Sequence, residues 1–180
     1  MLKPIQNLQG MSKSSFIFLI GFMGSGKSTI GKVMAKQLGV NFLDTDKYIE
    51  EKEGKSIPEI FDEIGEKGFR KLENQILNEL KNLEKNYVIA TGGGMPCHQT
   101  RLNKMLELGT LIYIEIDVKS VIQRVTQGKN IRPILAGLTP PEMEEKIQDL
   151  MKKRLPYYEQ AHHTISSLGA KKIDFKTLLG

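Results

Sequence analysis

Gly21-Phe-Met-Gly-Ser-Gly-Lys-Ser-Thr29 is the stretch on which the reading of this chain turns. It matches G-x-x-x-x-G-K-[ST], the pattern of a phosphate-binding P-loop. Directly before it, the apolar run Phe16-Ile-Phe-Leu-Ile20 reads as a fully buried strand. Directly after it, Ile30, Val33, Met34 and Leu38 fall at helical spacing. The motif therefore lies where its chemistry needs it, between a strand and a helix. The N–H groups of residues 24–29 (Gly24, Ser25, Gly26, Lys27, Ser28 and Thr29) can point inward at phosphate oxygens, aided by the helix N-terminus. Lys27 is placed to reach the β- and γ-phosphates, and the Ser28 hydroxyl to meet Mg²⁺.

Outward from the loop, the chain alternates. Residues 40–43 read as a second strand, ending at Asp44-Thr45-Asp46, and 47–53 as a short helix. Ser56-Ile-Pro-Glu59 has the capping-box form. A long amphipathic helix is expected over 69–83, with Leu72, Ile76, Leu80 and Leu83 on one side. Strands are expected at 87–90, 111–116 and 164–166, and helices at 99–108, 118–125, from Thr139 to about Leu155, and 174–179. Strands separated by helices imply an α/β domain whose parallel sheet is covered on both faces.

The 180 residues suit one domain with its own core. We take 14–180 as that domain and 1–13, which show no periodicity, as a poorly ordered extension. No apolar run approaches the ~20 residues of a membrane span. Cys97 is the only cysteine, so no internal disulfide can form, which suits a reducing cytoplasm. The net charge is +5. The longest basic cluster is only 152–154, and no aromatic residues interleave with it, so a small polyanion explains the charge better than nucleic acid does. No membrane partner is expected, and the chain reads as a monomer.

In sheets of this class, ligands bind beyond the carboxyl ends of the strands. That rule selects 21–28, 44–46 and 92–94. Asp44 and Asp46, two apart, point the same way if extended. One can hold a metal's water shell while the other orients an attacking hydroxyl. Alternatively, one of them only caps the following helix. Gly92, Gly93 and Gly94 permit close backbone approach by a ligand, or else form only a flexible turn. Arg70, Arg132 and Arg154 are candidate anion clamps, since arginine grips a carboxylate or phosphate through two parallel hydrogen bonds. His98 reads as a surface histidine, His162 and His163 as helix-end residues, and Cys97 as an inert thiol.

Six pieces together resemble the shikimate kinase family. They are GFMGSGKST at 21–29, DTD at 44–46, GFRKLE at 68–73, TGGG at 91–94, RPIL at 132–135 and RLPYYE at 154–159. They stand in the family's order and span 16 to about 161. The resemblance implies a three-layer αβα P-loop kinase fold with a five-stranded parallel sheet and a mobile lid. It also implies transfer of the γ-phosphoryl of ATP to the 3-hydroxyl of shikimate, with Mg²⁺ as cofactor. By the match, residues 24–29 hold ATP, with Lys27 also catalytic. Ser28 coordinates Mg²⁺, and Asp44 supports the metal. Asp46 binds the substrate hydroxyls and orients or deprotonates the attacking one. Arg70 and Arg154 grip the substrate carboxylate, with Glu73 orienting Arg70, and Gly93 makes a further substrate contact. Arg132 is the lid arginine and Arg124 an adenine neighbour. The substrate-binding subregion is expected at about 46–85 and the lid at about 126–139. Two other readings stay open, a gluconate-type kinase and a P-loop module that uses ATP only as a signal.

Overall fold

The computed structural model describes residues 16–83, 86–127, 135 and 137–179. The expected extension, Arg132 and most of the expected lid lie outside these. The element order is β1 (Phe16–Ile20), α1 (Lys27–Leu38), β2 (Asn41–Asp44), α2 (Thr45–Glu53), α3 (Ile57–Leu80), β3 (Tyr87–Ala90), α4 (Gln99–Leu108), β4 (Gly109–Glu115), α5 (Val118–Gln127), α6 (Pro140–Tyr158), β5 (His163–Ser166) and α7 (Phe175–Leu179). A 3-10 turn at Ala170–Lys172 precedes α7.

The five strands form one sheet in the order β2-β3-β1-β4-β5, and every pairing is parallel. Alternation along β1 divides the core. Phe16, Phe18 and Ile20 join the larger cluster, with residues of α3, α4 and α6. Leu19 joins the smaller one, with Ile30, Met34 and Ala35 of α1 and Phe175 and Leu179 of α7. Helices on both faces satisfy a sheet with no wet side. This is the three-layer arrangement expected from the alternation of strands and helices.

Register aligns the functional strand ends. Leu19 pairs with Ala90, and Ala90 with Asp44. The loops leaving β1, β2 and β3 therefore emerge at one edge of the sheet. Gly21 shows why the first of them starts with glycine. Its φ is +141°, and a Cβ there would stand 2.5 Å from the Ile114 carbonyl oxygen of β4.

Several boundaries differ from the sequence expectation. The helix expected over 69–83 instead runs from Ile57 to Leu80, with a break at Gly65 (φ 64°). Ile57 and Ile60 bury against the same core as Phe69 and Ile76, which extends the helix backward. Its start is fixed by Glu59, whose carboxylate accepts from the Ser56 N–H at 2.8 Å and hydroxyl at 2.6 Å. β4 begins earlier than expected, because Gly109 pairs with Phe16. His163 is not a helix-end residue. It opens β5 beside Ile112 and is buried.

Candidate active site

The P-loop wraps its own lysine. Lys27 is buried, and its Nζ donates to the carbonyls of Gly21 (2.9 Å) and Phe22 (2.8 Å) and to Ser25 Oγ (3.3 Å). These contacts hold the ammonium inside the loop. The Ser28 hydroxyl donates to Asp44 Oδ2 at 2.5 Å. The other Asp44 oxygen accepts from the N–H groups of Asp46 (3.1 Å) and Lys47 (3.4 Å). Asp44 thus caps α2, which realises the capping reading, and faces Ser28 at the same time. Arg124 reaches the loop from α5, its NH1 donating to the Gly24 carbonyl at 2.7 Å.

Beside the loop is a cavity of about 320 Å³. Met23, Ile57, Phe61 and Phe69 line its apolar side. Asp46, Glu66, Arg70, Glu73, Arg154 and the three glycines 92–94 line the polar side. The glycines are small because charged groups crowd them. A Cβ on Gly92 would lie 2.6 Å from Asp46 Oδ1, and one on Gly94 would lie 2.5 Å from Arg70 NH2. The Gly92 N–H is anchored to Thr45 Oγ1 at 3.0 Å. From the other side, the buried Tyr158 hydroxyl donates to the Gly93 carbonyl at 2.7 Å. Tyr158 itself stacks on Tyr113, with ring centroids 5.2 Å apart. Burial pushes its hydroxyl far above the usual tyrosine range, so it stays a donor.

The cavity's charge is built in layers. Arg70 NH1 donates to both oxygens of Glu73 at 2.9 Å, and NH2 donates to Glu66 at 2.9 Å. Glu73 is fully buried. Burial raises its carboxyl, against the pull of Arg70 and Arg101. Both oxygens accept from the Arg70 guanidinium, which favours the carboxylate form. Burial also lowers Arg70, but Glu73 and Glu66 outweigh it and the guanidinium is held charged. Arg154 sits over the Phe22 ring of the P-loop, 5.4 Å from its centroid. Burial raises the Cys97 thiol, in keeping with an inert residue.

The two halves share a rim. A Cβ on Gly93 would be 3.3 Å from the Gly21 carbonyl oxygen and 3.5 Å from Arg154 NH1. A phosphate cradle and an arginine-lined pocket therefore open side by side. Of the residues singled out in the sequence, Lys27, Ser28, Asp44, Asp46, Arg70, Glu73, Arg124, Arg154 and the glycines come together here. Arg132 lies outside the described residues.

A model of the family described as shikimate kinase matches residues 23–178. The chain belongs to that family. A shikimate kinase of Bacteroides fragilis is 42% identical over 147 residues, covering 82% of each chain. A structure of shikimate kinase from Acinetobacter baumannii in complex with shikimate superimposes with a TM-score of 0.83 at 38% identity, covering 94% of both chains. A gluconokinase from Sinorhizobium meliloti aligns with a TM-score of 0.58 at only 12% identity, a likeness of fold alone.

Two residues that hold the site were not singled out in the sequence. Tyr158 falls inside the RLPYYE piece, where its neighbour Arg154 drew the assignment. Arg101 is buried beneath Met95, donating from Nε to the Met95 carbonyl at 2.7 Å. Its signal was positional, since it precedes the buried Met105 by one helical turn, on the core face of α4.

Proposed function

We propose that this protein transfers the γ-phosphoryl group of ATP to the 3-hydroxyl of shikimate, giving shikimate 3-phosphate and ADP. The observation that carries the reading is the shared rim at Gly93, where the P-loop meets a pocket lined by Arg70, Arg154 and Asp46. Shikimate is a small ring with one carboxylate and three hydroxyls. Arg70 and Arg154 suit the carboxylate, Asp46 suits the hydroxyls, and the apolar side suits the ring.

In this reading, residues 24–29 hold the phosphates through backbone N–H groups, and Lys27 leaves its carbonyl partners to meet the β- and γ-oxygens. Arg124 borders the adenine end. Ser28 and Asp44 are hard oxygen donors in direct contact, which fits Mg²⁺. When bound, that ion would neutralise charge on the β- and γ-phosphates. Asp46 orients the attacking hydroxyl and stands ready to take its proton. The new O–P bond forms at the γ-phosphorus as the bond to the β-phosphate oxygen breaks, and ADP leaves. Arg132, by the family resemblance, closes onto the phosphates within a lid at about 126–139 and excludes water. The enzyme acts on small molecules in the cytosol, as a monomer, with neither nucleic acid nor membrane as partner.

The test is ADP release coupled to an indicator reaction, with shikimate as the only acceptor. Shikimate is expected to raise the rate far above the no-acceptor background, and gluconate to leave it there. Stimulation by gluconate instead would move the protein to the neighbouring activity.

A further inference from the structure

Behind Arg70 lies a second arginine that the proposed reaction leaves unused. Arg101 is 6% exposed. Its Nε is 3.8 Å from Glu73 Oε2, and unlike Arg70 it does not line the pocket. Glu73 is thus a buried carboxylate between two guanidiniums, one on its own helix and one on α4. The negative charge of Asp46 on α2 acts on it as well.

The charge balance has a consequence for the pocket. Arg70 and Glu73 alone would form a neutral pair, a weak attractor for an anion. Within the trio Arg70, Glu73 and Arg101, two arginines against one carboxylate leave a single positive charge, while Glu66, which also accepts from Arg70, is 71% exposed and screened by water. Glu73 also fixes the Arg70 fork. NH1 is committed to Glu73, which turns NH2 toward the pocket, where it meets the exposed Glu66.

We propose that Arg101 is a positioning residue that neutralises Glu73 from behind, so that Arg70 keeps both its orientation and its full charge for the substrate carboxylate. This inference rests on the reading of Arg70 as a carboxylate clamp. A merely structural Arg101 would do no more than tether the Met95 carbonyl.

The experiment compares steady-state constants for four proteins: the parent, Arg70→Lys, Arg101→Gln and Glu73→Gln/Arg101→Gln. Arg101→Gln makes the cluster neutral and is expected to raise the shikimate KM by about tenfold or more, with the ATP KM unchanged. Adding Glu73→Gln removes the uncompensated carboxylate while its amide oxygen still accepts from Arg70 NH1, so the fork is kept and the shikimate KM is expected to fall back to within about threefold of the parent. A tether alone predicts no such recovery. A double variant as weak as the single one overturns the proposal, as does a single variant that weakens ATP and shikimate equally. Should Arg101→Gln fail to fold, the double variant decides alone. A KM within about threefold of the parent supports the proposal, and any larger rise overturns it. If Arg70→Lys leaves the shikimate KM unchanged, the clamp reading fails and this inference falls with it. If Arg70→Lys raises it and Arg101→Gln does not, only the inference fails.

Discussion

Asp46 and Asp44 are two residues apart, yet the fold gives them different work. Asp44 spends one oxygen on the start of α2 and the other on Ser28. Asp46 lines the pocket, with an oxygen close against Gly92. Asp46→Asn keeps the volume and removes the negative charge. We expect kcat to fall by about 10²–10⁴, the usual scale of general acid–base help. Nucleotide affinity, measured by titration with ADP, is expected to stay within about threefold of the parent, because Asp46 lines the pocket proposed for the acceptor rather than the P-loop. An equal fall in both would make Asp46 a nucleotide or metal residue. The site was legible at this scale wherever function requires an unusual local pattern. The glycines of the P-loop and of 92–94 announce themselves, since few other reasons place so many small residues after a strand. Arg101 and Tyr158 did not. Each acts through a contact distant in sequence, and in the chain each is one ordinary residue on a helix. What makes Arg101 special is Glu73, which only the packing of α4 against α3 brings near.

Elements follow the same division. β1 and β3 match the sequence expectation to the residue, because largely buried strands are uninterrupted apolar runs, here ended by Gly21 and by Thr91. Boundaries set by a neighbouring strand were not. Gly109 falls between the expected helix over 99–108 and the expected strand over 111–116, yet it is the first residue of β4, paired with Phe16. A Cβ on Gly109 would fall 2.0 Å from the Phe16 carbonyl oxygen. That neighbour is backbone and cannot rotate away, unlike a side chain. Gly109→Ala should therefore force β4 away from β1 at this pair. The cost is expected to be about 1–3 kcal/mol, the range for overpacking a close-packed interior. Urea unfolding would show it as a lower midpoint with an unchanged slope. A midpoint at or above the parent's would mean that the two strands are not so closely opposed there. α3 carries a similar lesson. Its second half has the clearer amphipathic pattern, and its first half becomes helix because Ile57 and Ile60 are buried by the larger core.

At the scale of the molecule, the two proposed ligand sites rest on different faces of the sheet. Helix α1, which begins at Lys27, packs into the smaller core, whereas Met23, Ile57 and Phe69 of the acceptor pocket belong to the larger one. Among the described residues, the sites meet at the strand ends, through Met23 of the P-loop, through Gly93 and through Arg154 lying over Phe22. Binding at either site should therefore stabilise the whole domain, and each contribution should be separable. A ligand at 100 times its Kd adds about 2.7 kcal/mol if it binds only the folded state. For a domain of this size that corresponds to a rise in Tm of about 5–11 °C. ADP and shikimate are each expected to produce such a rise. Arg154→Lys replaces a planar fork with a point charge and loses the bidentate grip on a carboxylate. It should reduce the rise given by shikimate and increase the shikimate KM, while leaving the rise given by ADP intact. Loss of both rises would instead mean that Arg154 supports the loop through Phe22. An undiminished response to shikimate would remove Arg154 from the clamp and leave Arg70 to hold the substrate carboxylate alone.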